Sequence, residues 1–208
     1  MRNLPASKRH IVVIITGASG SVYGLRLIEM LLVSGQRVSL LLSNAGRQVL
    51  AYETSLSWDA DPLRWQAQVR AHFGVENELN CYDNSDFFAP IASGSAAPDA
   101  IVIVPCSMGT AGRIAAGLSE TLIERVADVA LKERRDLILV PRETPFNQIH
   151  LENLLRLSRA GAHVLPAMPA FYQKPQSVED LVDFVVGKIL DSLAIPHELF
   201  VRWGIKAE

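Results

Sequence analysis

Two runs of small residues and one charged pair are where this sequence could do chemistry. Gly17-Ala18-Ser19-Gly20-Ser21 stands between an apolar β-branched run, 11–16, and a helical pattern, 22–32. Residues that small let backbone N–H groups approach an oxyanion at a helix N-terminus, where the peptide dipoles favour negative charge. Ser107-Met108-Gly109-Thr110, just after Pro105-Cys106, makes a second such cradle behind the apolar run 99–104. Arg142 and Glu143 follow a further apolar run, 137–140, and set a phosphate-binding fork beside a group able to exchange a proton. A plain tight turn and an exposed loop pair are the simpler alternatives for these stretches. The spacing of Gly17, Gly20 and Gly24 is not the G-x-G-x-x-G fingerprint, so phosphate is indicated and the nucleotide is not.

The elements that must position these groups follow from periodicity. The runs 11–16, 38–43, 99–104 and 137–140 read as strands buried on both faces, with a short strand at 163–165. Helices are expected over 22–32, 45–52, from Pro62 onward, 122–134, 150–160 and from the cap Ser177 to Leu193, with Glu179 and Asp180 in the last helix's first turn. This is an α/β chain with a mostly parallel sheet, and in such sheets ligands bind outside the carboxyl ends of the strands. The two cradles therefore face one crevice. A dinucleotide-binding protein would carry Asp or Glu at the end of the second strand, where this chain has Ser43 and Asn44, which argues against NAD. The loop 86–95, with Phe87 and Ser93, borders a ligand or is simply an anchored surface loop. Arg125 and Lys132 on the 122–134 helix read, by position alone, as solvated charges.

Composition narrows the partners. With 208 residues, 49% of them hydrophobic and 20% charged, one domain spanning 1–208 can bury a large core. A mean hydropathy of +0.19 favours a homo-oligomer that covers apolar surface. The formal charge of −2 offers no basic field for nucleic acid or an anionic membrane. No run is long enough to cross a bilayer, so a cytoplasmic protein is expected. Cys81 and Cys106 do not suggest a disulfide framework, and the five histidines show no metal-ligand pairing, so no metal is expected. Residues 1–9 read as a frayed tail, and 195–208 as an extension at a subunit interface.

Taken together, TGASGSVYGLRL, LLSNA, ETS, ASGS, PCSMGT, LIERVADVALKERR, LVPRETP, HLENLL, PAFYQKPQSVEDLVDFVV and RWG closely resemble the flavin prenyltransferases of the UbiX type, within the homo-oligomeric flavin-containing cysteine decarboxylase superfamily. The resemblance implies a Rossmann-like three-layer α/β/α fold and reduced FMN as co-substrate. It also implies dimethylallyl monophosphate as the prenyl donor, a dodecameric assembly, and a UbiD-type decarboxylase that receives the prenylated FMN. By position it implies that Gly17, Ala18, Ser19, Ser43, Ser107, Met108, Gly109, Thr110, Arg125 and Arg142 line FMN. Tyr172, Lys188, Lys132, Ser93 and Arg142 would take the prenyl phosphate. Ser19, Glu53, Glu143 and Phe87 would stand at the chemistry, Ser19 near flavin N5 and Phe87 facing an allylic cation.

Two positions depart from the family pattern: Phe87 where tryptophan is frequent, and Lys188 where arginine is common, a point charge in place of a fork. A flavin-dependent cysteine decarboxylase is the nearest rival, but those enzymes resemble one another in a PASANT turn and a PAMN-type loop, where this chain has PCSMGT and PAMPAFY. A short-chain dehydrogenase would need a Y-x-x-x-K pair that the sequence lacks. A non-catalytic flavin carrier would have no need of Arg142, Glu143, Tyr172 and Lys188 together.

Overall fold

The computed structural model describes residues 8–202 and Gly204. Six strands, β1 (His10–Ile15), β2 (Arg37–Leu42), β3 (Leu79–Cys81), β4 (Ala100–Cys106), β5 (Asp136–Pro141) and β6 (His163–Val164), form one sheet in the order β3-β2-β1-β4-β5-β6. Every pairing is parallel. The helices are α1 (Ser21–Val33), α2 (Asn44–Thr54), α3 (Pro62–Phe73), α4 (Met108–Ala115), α5 (Leu122–Lys132), α6 (Gln148–Arg159) and α7 (Val178–Ser192).

Alternate residues of each strand feed two cores. Ile11, Val13 and Ile15 of β1 pack with α1, α2, α3 and α7, whereas Val12 and Ile14 pack with α4, α5 and α6. The β-branched runs are thus buried on both faces, and each fully buried Ile or Leu contributes about 1.5–3 kcal/mol. Strand order reverses at β1 and β4, and this switch point brings the two small-residue turns to the same edge.

Two elements differ from the sequence reading. The strand expected to stop at 104 continues through Pro105 to Cys106, because the register shifts between Ile103 and Cys106 and lets a proline into the ladder. The PCSMGT turn then opens α4, a helix the sequence hides behind Gly109 and Gly112 and which burial of Met108, Ala111, Ile114 and Ala115 holds in place.

The chain ends are partly outside the described residues: 1–7 of the expected tail, and Trp203 with 205–208 of the expected extension. Arg9, placed with the tail by sequence, is tied down. Its N–H donates to Gln36 Oε1 at 2.8 Å, and its guanidinium reaches the Leu193 carbonyl at 2.6 Å and Asp136 at 2.9 Å. Residues 195–202 fold back on α7 of their own chain, with Ile195 buried and Phe200 5.1 Å from Phe184.

Candidate active site

The crevice is stitched by one threonine. Thr16, at the end of β1 and fully buried, donates its hydroxyl to the Pro105 carbonyl at 2.8 Å and accepts the Ser107 N–H at 2.8 Å. Gly17 lies where an added Cβ would meet the Ala45 Cβ at 2.5 Å, so its smallness lets the first turn of α2 close on the β1–α1 turn. Gly20 caps α1 with φ 109°, a left-handed conformation that a side chain would strain. Arg142, just past β5, donates Nε to the Ser19 carbonyl at 3.0 Å across the crevice. The β4 loop is therefore joined to Thr16 and the β5 loop to Ser19, which brings the loops of β1, β4 and β5 to one edge.

The oxyanion at α1 is the protein's own. Glu53, at the end of α2, takes the Gly20 N–H at 3.0 and 3.1 Å and the Ser21 N–H at 2.8 Å. Burial alone would raise its carboxyl, but hydrogen bonds from the Ser19 side chain and from the N–H groups of Ser21 and Gly20 outweigh it and hold the carboxyl below its usual range. Ser19 is thus held through its carbonyl by Arg142, beside the two N–H groups that Glu53 accepts. The first turns of α2 and α4 are finished differently. The Ser43 hydroxyl accepts the Gly46 N–H at 2.9 Å, and the Ser107 hydroxyl accepts the Thr110 N–H at 3.2 Å while donating to Thr110 Oγ1 at 3.0 Å. Among the described residues, no carboxylate is hydrogen-bonded to the N–H groups of Asn44, Ala45, Met108 or Gly109.

Three supporting residues escape a sequence reading. Thr16 looked like the last residue of a strand. Arg113 donates to Glu124 Oε1 at 2.6 Å and to Thr110 Oγ1 at 3.3 Å, locking α4 to the capped start of α5. Burial raises the Tyr23 hydroxyl, partly offset by Arg142 nearby. Only an Arg three residues after Thr110 hinted at any of this. Phe87 and Asn44 share a cavity of about 390 Å³ with Asn84, Ser85 and Thr121 beside the crevice. Glu143 turns onto its own loop, accepting the Thr144 N–H at 3.0 Å.

The remaining residues fall into two separate groups. On the α4–α6 layer, Arg125 donates to the Ala92 carbonyl at 3.0 Å and to Asp128 at 2.9 Å, Ser93 shares a hydrogen bond with Ser95 at 2.9 Å, and Lys132 pairs with Glu133 against Gly94. The Arg125 guanidinium is held in this chain by α5 and the 90–92 turn. On the α1–α7 layer, Tyr172 packs edge-on to Phe184 at 5.9 Å, and Lys188 stands 3.6 Å from Asp191. The sheet separates Lys132 from Lys188, so one chain does not gather the expected phosphate-binding set.

A Rossmann-ordered parallel sheet with small-residue turns at its switch point defines a nucleotide-phosphate-binding α/β protein, and the family model that matches residues 2–190 is described as Flavoprotein. The chain is 52% identical over 195 residues to the flavin prenyltransferase UbiX of Pseudomonas aeruginosa, covering 93% of each, and 48% identical over 194 residues to that of Methanocaldococcus jannaschii, covering 93% of this chain and 98% of the relative. Its fold matches AnUbiX (PadA1), solved in complex with FMN and dimethylallyl pyrophosphate, with TM-score 0.86 and 39% identity over 96% of this chain and 100% of that one. A dodecameric FMN-dependent UbiX-like decarboxylase from Escherichia coli matches with TM-score 0.83 and 37% identity over 93% of this chain and 98% of that one. The chain belongs to the Flavoprotein family and, within it, to the UbiX-type flavin prenyltransferases.

Among the described residues no helix is long and apolar enough to cross a membrane, and no three potential metal ligands cluster. Cys81 and Cys106 are free, and burial pushes both thiols up to about 12, which disfavours the thiolate.

Proposed function

We propose that this chain joins the dimethylallyl group of dimethylallyl monophosphate to N5 and then C6 of reduced FMN, and that a UbiD-type decarboxylase takes up the product. The convergence on the 19–21 turn of Arg142, which holds the Ser19 carbonyl, and Glu53, which holds the Gly20 and Ser21 N–H groups, is the observation that carries this reading. FMN fits the edge: the uncapped N–H groups of α2 and α4 suit its acceptor oxygens, and Gly109, where an added Cβ would touch only Arg113 at 3.6 Å, leaves room for it. Gly17, Ala18, Ser19, Ser43, Ser107, Met108, Gly109, Thr110 and Arg142 would hold it. Reduced FMN, when bound, supplies two nucleophilic atoms.

The chain's own residues do the rest. Ser19, fixed through its carbonyl by Arg142, would stand near flavin N5 and orient the ring. Tyr172, Lys188, Lys132, Ser93 and Arg142 meet the departing phosphate with charge and hydrogen bonds, the role a divalent cation plays elsewhere. Glu143 exchanges a proton with that phosphate, and Phe87 turns its π-face to the allylic cation. Since Lys132 and Lys188 lie on opposite faces of the sheet, neighbouring copies complete the set, and the exposed Ile149, Leu151 and Leu155 of α6 offer apolar surface for a homo-oligomer, which we take to be a dodecamer. Its two free thiols suit the cytoplasm.

The test is a mass spectrum of the flavin released after anaerobic incubation with reduced FMN and either dimethylallyl monophosphate or the diphosphate, with magnesium and without. A five-carbon gain from the monophosphate without magnesium is expected. An unchanged flavin mass, or an absolute need for magnesium, would overturn the mechanism.

A further inference from the structure

The carboxylate of Asp191, in the last turn of α7, is shared by two cations and an imidazole. Arg202 donates to it from Nη2 at 2.7 Å and from Nη1 at 3.3 Å, His197 Nε2 lies 3.2 Å from Oδ1, and the Lys188 ammonium stands 3.6 Å from Oδ2. These contacts are not equivalent. Arg202 and His197 are at hydrogen-bonding distance, whereas Lys188 is near enough to be steered by charge but makes no hydrogen bond there. The carboxylate itself is held still. A Cβ on Gly187 would meet Phe200 at 2.4 Å and His197 at 2.8 Å, so the returning tail packs directly on α7. Burial alone would raise the Asp191 carboxyl, but the hydrogen bond and charge of Arg202 outweigh it and keep it ionised.

We infer that Asp191 is a positioning residue: it sets the place of the Lys188 ammonium for the prenyl phosphate, while Arg202 takes up most of its negative charge so that Lys188 keeps its own. The inference rests on the prenyl-transfer reading above. It also answers the departure at position 188. A lysine is a compact charge on a flexible stem and lacks the pre-set fork of arginine, so a fixed carboxylate one turn further along the helix supplies the order that the side chain lacks. The Lys188 side chain is 48% exposed, which leaves its ammonium open to a ligand.

The experiment is a double-mutant cycle on the FMN-loaded protein, reading the Kd for dimethylallyl monophosphate by calorimetry and KM and kcat by adduct formation. Asp191→Asn should raise Kd and KM about two- to fivefold, the range of a single part-exposed ion pair, with kcat little changed. Asp191→Glu should recover most of that loss, which guards against a variant that merely folds poorly. In the Lys188→Ala background the Asp191→Asn change should have no further effect. An equal loss in both backgrounds shows a purely structural role and overturns the inference, as does an unaltered Kd in Asp191→Asn. If the native protein forms no adduct at all, the prenyl-transfer reading fails first; a native protein that is active but indifferent to Asp191 sinks this inference alone.

Discussion

The first turns of α1 and α4 are joined through one threonine, yet they are finished in opposite ways. In α1 the Gly20 and Ser21 N–H groups hold the Glu53 carboxylate, which comes from 33 and 32 residues further along the chain. In α4 the Ser107 hydroxyl caps a single N–H, and Arg113 braces the turn from behind, leaving Met108 and Gly109 open. Two turns that look alike in sequence are therefore unlike in charge. One is neutralised from within by Glu53, and the other meets no carboxylate at its first N–H groups among the described residues. A positive helix terminus is not by itself a ligand site; what the remainder of the chain puts there decides.

The contrast breaks most severely at Glu53. Glu53→Gln removes the charge that holds the Gly20 and Ser21 N–H groups beside Ser19, and adduct formation should fall about a hundredfold or more while FMN is still bound, a split read by comparing flavin titration with product mass. The pH dependence has a definite sign. The folded carboxyl lies below its ordinary value of 4.5, so its stabilising contribution is fully present above that pH and is lost as pH falls through the lower folded value. The native protein, but not Glu53→Gln, should lose this increment on acidification, as followed by thermal melting across that window.

A second contrast, between the crevice and the separated lysines, is sharpened by mixing. Lys132→Ala and Lys188→Ala should each lose about tenfold or more in rate. Co-expressed, they should regain about a quarter of native activity, because random assembly restores both lysines to one site in four when different copies supply them. Additive, unrecovered losses would mean that each site draws both lysines from one chain.

Arg113→Ala should give the smallest effect. It removes a charged hydrogen bond from the buried Glu124, which keeps the N–H groups of Glu120 and Thr121. Since Arg113 is half-exposed, the loss should be about 1 kcal/mol, or about 2–4 °C in melting temperature. FMN binding should weaken with it, because α4 loses its brace; unaltered FMN affinity would show that the brace is irrelevant to the open turn.

Much of this protein was legible before any coordinates. Short apolar runs bounded by turn residues read as strands buried on both faces, so β1, β2, β4 and β5 were plain, and the Ser177 cap with Asp180 three residues later marked the start of α7. The small-residue turns and Arg142 were legible as candidates, because they stand directly after buried strands in a parallel sheet, where ligands bind. Tertiary structure alone decided the rest. Strand order, fixed by sheet pairing, put the turns of β1 and β4 side by side, and long-range contact gave the α1 terminus to Glu53. It spent Arg125 on the Ala92 carbonyl and divided Lys132 from Lys188 by the thickness of a sheet. Periodicity reports which face of an element is buried; it carries no information on which distant side chain arrives there, since that depends on packing between elements far apart in the chain.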